Sequence, residues 1–312
     1  MTGNRGSWPA ALLLVGFLLA APKAFVLGPL ALLLLLSRPV RMAEWFWIGA
    51  SAALALVMLN APATLVDRTV RAAGVCFTGA FVMMSLIGVR SLFRRTLLAV
   101  IAAAGAVATW FAMLGLRWTE LRDALVDTQW VVYRLFFPQL PEVPPQGTAI
   151  GQGQSAQFAA ELGRGLVTTV DLWPASQAIL ALGGGFLAWR WYHRIASSPI
   201  GVPARPFRDF TFPDPYIWLV IVAGALALAP LPAGWSLLAR NVVVFLLAVY
   251  AGRGLAVIQT ALVPAPTAMA VLLSVAALFL LPLALVVATL VGLADTWLDL
   301  RRRMAPPEGA LQ

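Results

Sequence analysis

Cysteine and histidine are almost missing from this 312-residue chain, which has one of each, Cys76 and His193. A lone cysteine closes no internal disulfide, and the two together cannot supply a His/Cys zinc site within one chain. Charge is scarce as well: Asp, Glu, Lys and Arg make up 11% of the residues, against about 25% in a soluble domain. Nucleotide-binding loops, metalloprotease helices, nucleophile elbows and dinucleotide fingerprints are absent. Gly151-Gln152-Gly153 lacks the strand, helix and lysine of a phosphate cradle and reads as a flexible loop. Glu120 and Asp123 could be imagined as an acid/base pair, but nothing indicates a pocket around them. The sequence therefore implies no enzyme, no cofactor and no metal.

What is present is apolar. Hydrophobic residues make up 61% of the chain and the mean hydropathy is +0.86. A soluble protein of this size has no interior large enough to hide that surface, whereas lipid removes the need to hide it. The apolar residues also run in continuous Leu/Ala/Val blocks, not the alternating pattern of a barrel. About 20 residues make one helical crossing. The expectation is an all-α, polytopic transmembrane helical bundle with eight to ten membrane segments.

The first apolar block covers 8–36 and is interrupted at Pro22-Lys23. Arg5, the following apolar run and the small residues over 20–24 also fit a signal peptide. A second apolar run over 25–36 follows at once, which suits two short helices or one broken helix. Further spans are expected over 43–60, 70–88 and 97–116, one beginning near Pro174, then 216–231 and 238–262. The last block, 267–294, is interrupted by Pro282. Gly183-Gly184-Gly185 falls within a span and reads as a close helix–helix contact.

Between 117 and 168 the character changes. Residues 119–137 form an amphipathic helix with Leu121, Leu125, Val132, Leu135 and Phe136 along one side. Trp118, Trp130 and Tyr133 suit the headgroup layer. Arg122, Asp123, Asp127 and Arg134 make a solvated face with i,i+4 pairing. A Gly/Gln link over 147–154 leads to a second amphipathic helix. This gives four regions: 1–116, N-terminal transmembrane helices; 117–168, an extracytoplasmic amphipathic-helix insertion; 169–303, C-terminal transmembrane helices; and 304–312, a disordered tail.

The formal charge of +9 sits in the turns between apolar blocks, which is the positive-inside pattern and not a nucleic-acid surface. Arg38/Arg41, Arg90/Arg94/Arg95, Arg190/Arg194/Arg205/Arg208 and Arg301 to Arg303 belong on the cytoplasmic side. Residues 117–166 carry four arginines against five acids and belong outside. A break at Pro282 returns the C-terminus to the cytoplasm.

Charges at membrane depth single out the candidate polar intramembrane site: Arg253, Asn241, Asp171 and Asp295. An ionisable group in a span is expensive and faces a partner or a wet cavity. Arg253 lies well inside its span, and Asp171 and Asp295 are its candidate partners. It reads either as a functional polar site or as a structural ion pair. Lys23, Arg240, Asn241 and Asp171 lie nearer span ends, where long cations can snorkel.

The C-terminal half carries Phe210-Thr211-Phe212-Pro213, Asn241, Tyr250, Gly254-Leu255-Ala256-Val257-Ile258 and Gly292-Leu293-Ala294-Asp295-Thr296-Trp297, then Asp299 and Arg301. This order resembles the uncharacterised bacterial YybS-like membrane family over about 170–303. The family's pattern is similar to the substrate-binding membrane subunits of vitamin and metal-ion importers. The resemblance implies a multi-pass protein of a bacterial plasma (inner) membrane, and no functional residue carries over from it. Two functions follow as expectations. One is a transporter-type subunit that binds a small solute among its helices and works with an energy-coupling or other membrane partner protein. The other is a non-catalytic membrane scaffold or assembly protein. A membrane enzyme using Asp171 or Asp295 ranks last, because no motif supports it.

Overall fold

The computed structural model describes residues 23–89, 91–142, 144, 154–263 and 266–304. Helices dominate them, and no strand occurs among the described residues. The expected helix ahead of Pro22, most of the Gly/Gln link and residues 305–312 lie outside them. Contacts within the chain separate two compact units, Met1–Ala204 and Arg205–Gln312.

Unit one is built around its shortest apolar helix. Helix α1 (Ala24–Leu36) buries Phe25, Val26, Leu30, Leu33 and Leu34 and packs on α2 (Met42–Asn60), α3 (Leu65–Leu86) and α7 (Trp173–Ile195). Its 13 residues rise only about 20 Å, less than the hydrocarbon thickness of about 30 Å. Helices α3 and α4 (Leu92–Leu114) form a hairpin. Thr64 and Asp67 cap the start of α3 reciprocally, and Ser91 caps α4. Gly115 ends α4 at φ +65, a conformation that favours glycine.

Helix α7 crosses this group. A methyl on Gly184 would fall 2.8 Å from the Phe25 carbonyl oxygen, and one on Gly185 would fall 2.6 Å from Thr96 Cγ2. Gly184 and Gly185 are therefore contact residues, as the glycine run implied. After α7 the chain folds back: Trp189 Nε1 donates to the Val202 carbonyl, and Ile200 N–H donates to Tyr192 Oη. Glu44, buried at the start of α2, accepts from Val40, Arg41 and Ser197 backbone N–H groups and from the Ser197 hydroxyl. It joins α2 to this returning loop.

The two amphipathic helices occur as α5 (Trp118–Phe136) and α6 (Gln154–Asp171) and pack on each other through Leu121, Leu125, Ala159, Leu166 and Val170. The expected apolar line is only partly inward: Leu121 and Leu125 are buried, whereas Val132, Leu135 and Phe136 are exposed. Trp130 is 1% exposed and donates Nε1 to the Pro141 carbonyl, so it anchors the hairpin core and is not a headgroup residue. Arg122 pairs with Asp171 at 3.0 Å, a contact from α5 to α6. This hairpin and α7 fall in the same compact unit as the N-terminal helices.

Unit two runs from a 3-10 turn (Phe207–Asp209) through α8 (Tyr216–Leu228), α9 (Ala233–Leu262), α10 (Thr267–Phe279), α11 (Leu281–Leu298) and α12 (Leu300–Met304). The interruption expected at Pro282 is real: the helix breaks at Leu280, and Pro282 sits in the first turn of α11, where its missing N–H costs no hydrogen bond. Helices α9 and α11 meet at glycine. A methyl on Gly254 would overlap the Ala288 carbonyl, and one on Gly292 would overlap the Tyr250 carbonyl. Only glycine permits this backbone-to-backbone approach.

Among the described residues, five helices are long and apolar enough to cross a membrane: α2, α3, α4, α9 and α11. This is fewer than the eight to ten segments expected. Helices α1, α8 and α10 have 13 residues each. Helix α7 carries Ser176 and Gln177 near its start and Arg190, His193 and Arg194 near its end, which shortens its apolar stretch to 178–189. Exposed apolar side chains along α2 and α10, such as Met42 at 86% and Phe279 at 82%, suit contact with lipid and not with water.

Candidate functional site

Arg253 is buried, and its partners come from three segments of unit two. Its Nε donates to Asp295 Oδ2 at 2.8 Å, its Nη1 to Asp214 Oδ1 at 2.9 Å and its Nη2 to the Asp295 backbone carbonyl at 3.4 Å. Asp295 lies on α11, one turn past the Gly254–Gly292 crossing that brings it within reach. Asp214 precedes α8 and is held by the proline-rich approach 213–215. Arg301 Nη2 reaches the same Asp295 Oδ2 at 3.5 Å and the Arg253 carbonyl at 3.5 Å, while its Nη1 donates to the Arg208 carbonyl. The Phe212 ring lies 5.4 Å from the Arg253 guanidinium carbon and packs edge-on against Tyr250.

Two guanidinium groups and two carboxylates balance, and every nitrogen of Arg253 has a partner. The charges cancel within the cluster, which leaves no net positive charge to hold an anionic solute, although Arg301 Nε is buried without a hydrogen-bond partner among the described residues. Burial pushes the Arg301 pKa down and the Asp295 charge opposes this, so the guanidinium stays protonated. Sequence reasoning offered Asp171 and Asp295 as candidate partners of Arg253; the structure brings Asp295 to it and not Asp171, and adds Asp214 and Arg301, which the sequence reading missed although Phe210 to Pro213 and Arg301 marked the same segments. The other two candidates lie elsewhere. Asp171 is in unit one with Arg122. Asn241 lies twelve positions before Arg253 on α9, about 18 Å along its axis, and its Nδ2 donates to the Leu237 carbonyl.

Unit one holds a space that could take a molecule. A cavity of about 520 Å³ opens between α1, α3, α4, α5 and α7. Phe25, Phe77, Phe111 and Trp173 supply its aromatic wall, and Ala103, Ala104, Ala108 and Ala112 of α4 leave the volume unfilled. Three polar residues join the lining: Thr69, Trp118 and Gln177. The Thr69 hydroxyl is used by the Leu65 carbonyl, whereas Trp118 Nε1 and Gln177 Oε1 are buried without a hydrogen-bond partner among the described residues. The lining therefore offers apolar packing with one donor and one acceptor to spare. The alanines of α4 were the available signal, but they read equally as a lipid-facing span.

Residues 148–296 match the model of a family described as "Predicted membrane protein (DUF2232)". The match runs from ahead of α6 into α11, and includes Arg253, Asp295, Gly254 and Gly292 but not α1 to α5. No curated protein and no solved structure matches the chain. An integral membrane protein of helical class, similar to an uncharacterised membrane family, is the common ground of sequence, fold and comparison.

Proposed function

We propose that the protein is a transporter-type membrane subunit that binds a small, largely apolar solute in the cavity of unit one. The cavity itself carries this reading: about 520 Å³ is within the range of small-molecule sites, which are mostly apolar with a few polar groups. Its position supports the reading further. The cavity lies toward the start of α3, the end of α4 and the start of α7, beneath the α5–α6 hairpin. That is the end of unit one away from Arg94, Arg190 and Arg194, and so the extracytoplasmic end under the positive-inside rule. A solute arriving from outside a bacterial inner membrane meets this end first. The resemblance to importer subunits adds a separate energy-coupling protein as partner.

The charge-balanced Arg253 cluster has the structural role in this scheme, holding α9, α11 and the 205–215 segment together. A scaffold role needs no such cavity and rests on the exposed α5–α6 face alone. The test is native mass spectrometry of the gently purified full chain. A stoichiometric small molecule in the wild type that is lost in Ala108→Trp supports the proposal, because Ala108 is an exposed lining position where a large ring blocks the cavity without overpacking the core. Lipid alone in the wild type, or a solute equally retained in Ala108→Trp, overturns it.

A further inference from the structure

The opposite end of unit one holds a buried cation with no counter-charge among the described residues. Arg95, in the first turn of α4, is 6% exposed. Its Nη2 donates to the Val89 carbonyl at 2.7 Å, and its guanidinium lies 4.1 Å from the Trp189 ring centroid. Its Nε and Nη1 have no hydrogen-bond partner, and no acid pairs with it among the described residues. His193 packs against the same Trp189 ring at 4.6 Å and also keeps a buried, unpartnered Nε2.

A buried guanidinium lacking a counter-ion is strongly disfavoured. A water molecule could satisfy an N–H but could not neutralise the charge. Glu44, the acid at this end, spends both oxygens on the 40–44 turn and Ser197. Around the site, Arg38, Arg41, Arg94, Arg190 and Arg194 are all exposed, so the field over this end attracts anions. Under the positive-inside rule this is the cytoplasmic side, where anionic lipids are concentrated.

We propose that Arg95, with Trp189 and His193 beside it, forms a phosphate-type anion site at the cytoplasmic end of unit one. Nε and Nη2 form the planar two-donor edge suited to two phosphate oxygens, and Nη2 joins it once its bond to the Val89 carbonyl is given up. The unpartnered Nε and Nη1 are shielded from bulk solvent. The anion displaces the turn between α3 and α4, whose Val89 carbonyl holds Nη2 and whose Gly88 has φ +82. The phosphate comes either from an anionic lipid headgroup or from a free phosphate compound. This site is separate from the apolar cavity and does not depend on the solute reading.

The test uses the purified full chain in lipid-free maltoside detergent. Binding of phosphatidylglycerol in mixed micelles and of inorganic phosphate, against chloride at matched ionic strength, is measured by calorimetry and by native mass spectrometry. Wild type is expected to bind at least one probe. Arg95→Gln should weaken that binding about tenfold or more, the loss of charge-assisted hydrogen bonds, while Arg94→Gln should leave it within about twofold. Phosphatidylglycerol binding alone identifies a lipid headgroup as the source, and binding of inorganic phosphate as well identifies free phosphate. If wild type binds neither probe, the proposal fails whether or not Arg95→Gln folds. Equal binding by wild type and Arg95→Gln also overturns it.

Discussion

Arg253 and Asp214 form an ion pair whose two ends sit in different surroundings: the Arg253 side chain is 5% exposed and that of Asp214 is 63%. Exposed charges contribute little to stability because water screens them and competes for them. A buried charge stripped of its partner is costly. Arg253→Leu leaves the Asp295 carboxylate buried with only the longer Arg301 contact. We therefore expect unit two to lose about 3–5 kcal/mol, read as a fall in the thermal unfolding midpoint in detergent. Asp214→Asn should cost less than about 1 kcal/mol. Equal losses in the two variants would contradict this division. Arg253 and Asp295 were legible in the sequence because a charge inside an apolar run is conspicuous. Asp214 was not, because an aspartate between two prolines in a loop looks like any turn residue until the fold brings it to Arg253.

At the scale of the element, the decisive contact is the crossing of α9 and α11. Gly254→Val has no room against the Ala288 carbonyl, and the helices must separate. The expected cost exceeds about 4 kcal/mol, read as a fall in the thermal unfolding midpoint in detergent. If Gly254→Val retained wild-type stability, the close crossing would be wrong. The α5–α6 hairpin makes a second prediction. Trp130→Phe removes the donor to the Pro141 carbonyl and should cost about 1–3 kcal/mol, seen as faster limited proteolysis across 137–154. Unchanged cleavage would count against the anchor. Helix positions, the break before Pro282 and the two amphipathic helices were readable from local periodicity and proline. The inward burial of Trp130 and the central place of α1 were not, because both depend on which faces meet, and an aromatic or leucine-rich stretch carries the same local signal at a lipid surface as in a core.

For the whole molecule, two compact units in one membrane chain take up charge in different ways. Unit two neutralises its buried arginine internally, with Asp295 and Asp214. Unit one, among the described residues, leaves Arg95 without an acid and, at its other end, leaves an alanine-lined space open. The cavity was invisible in the sequence because it is made of what five helices fail to fill, and the residues that border it lie as far apart as Phe25 and Ala181. The solute reading therefore rests on unit one, while the charge pattern first drew attention to unit two. The most direct measurement compares native mass spectra of wild type, Ala108→Trp and Asp214→Asn, all verified as folded. We predict a stoichiometric small molecule in wild type and Asp214→Asn and its absence from Ala108→Trp. Retention in Ala108→Trp with loss in Asp214→Asn would contradict the account and return the binding site to Arg253.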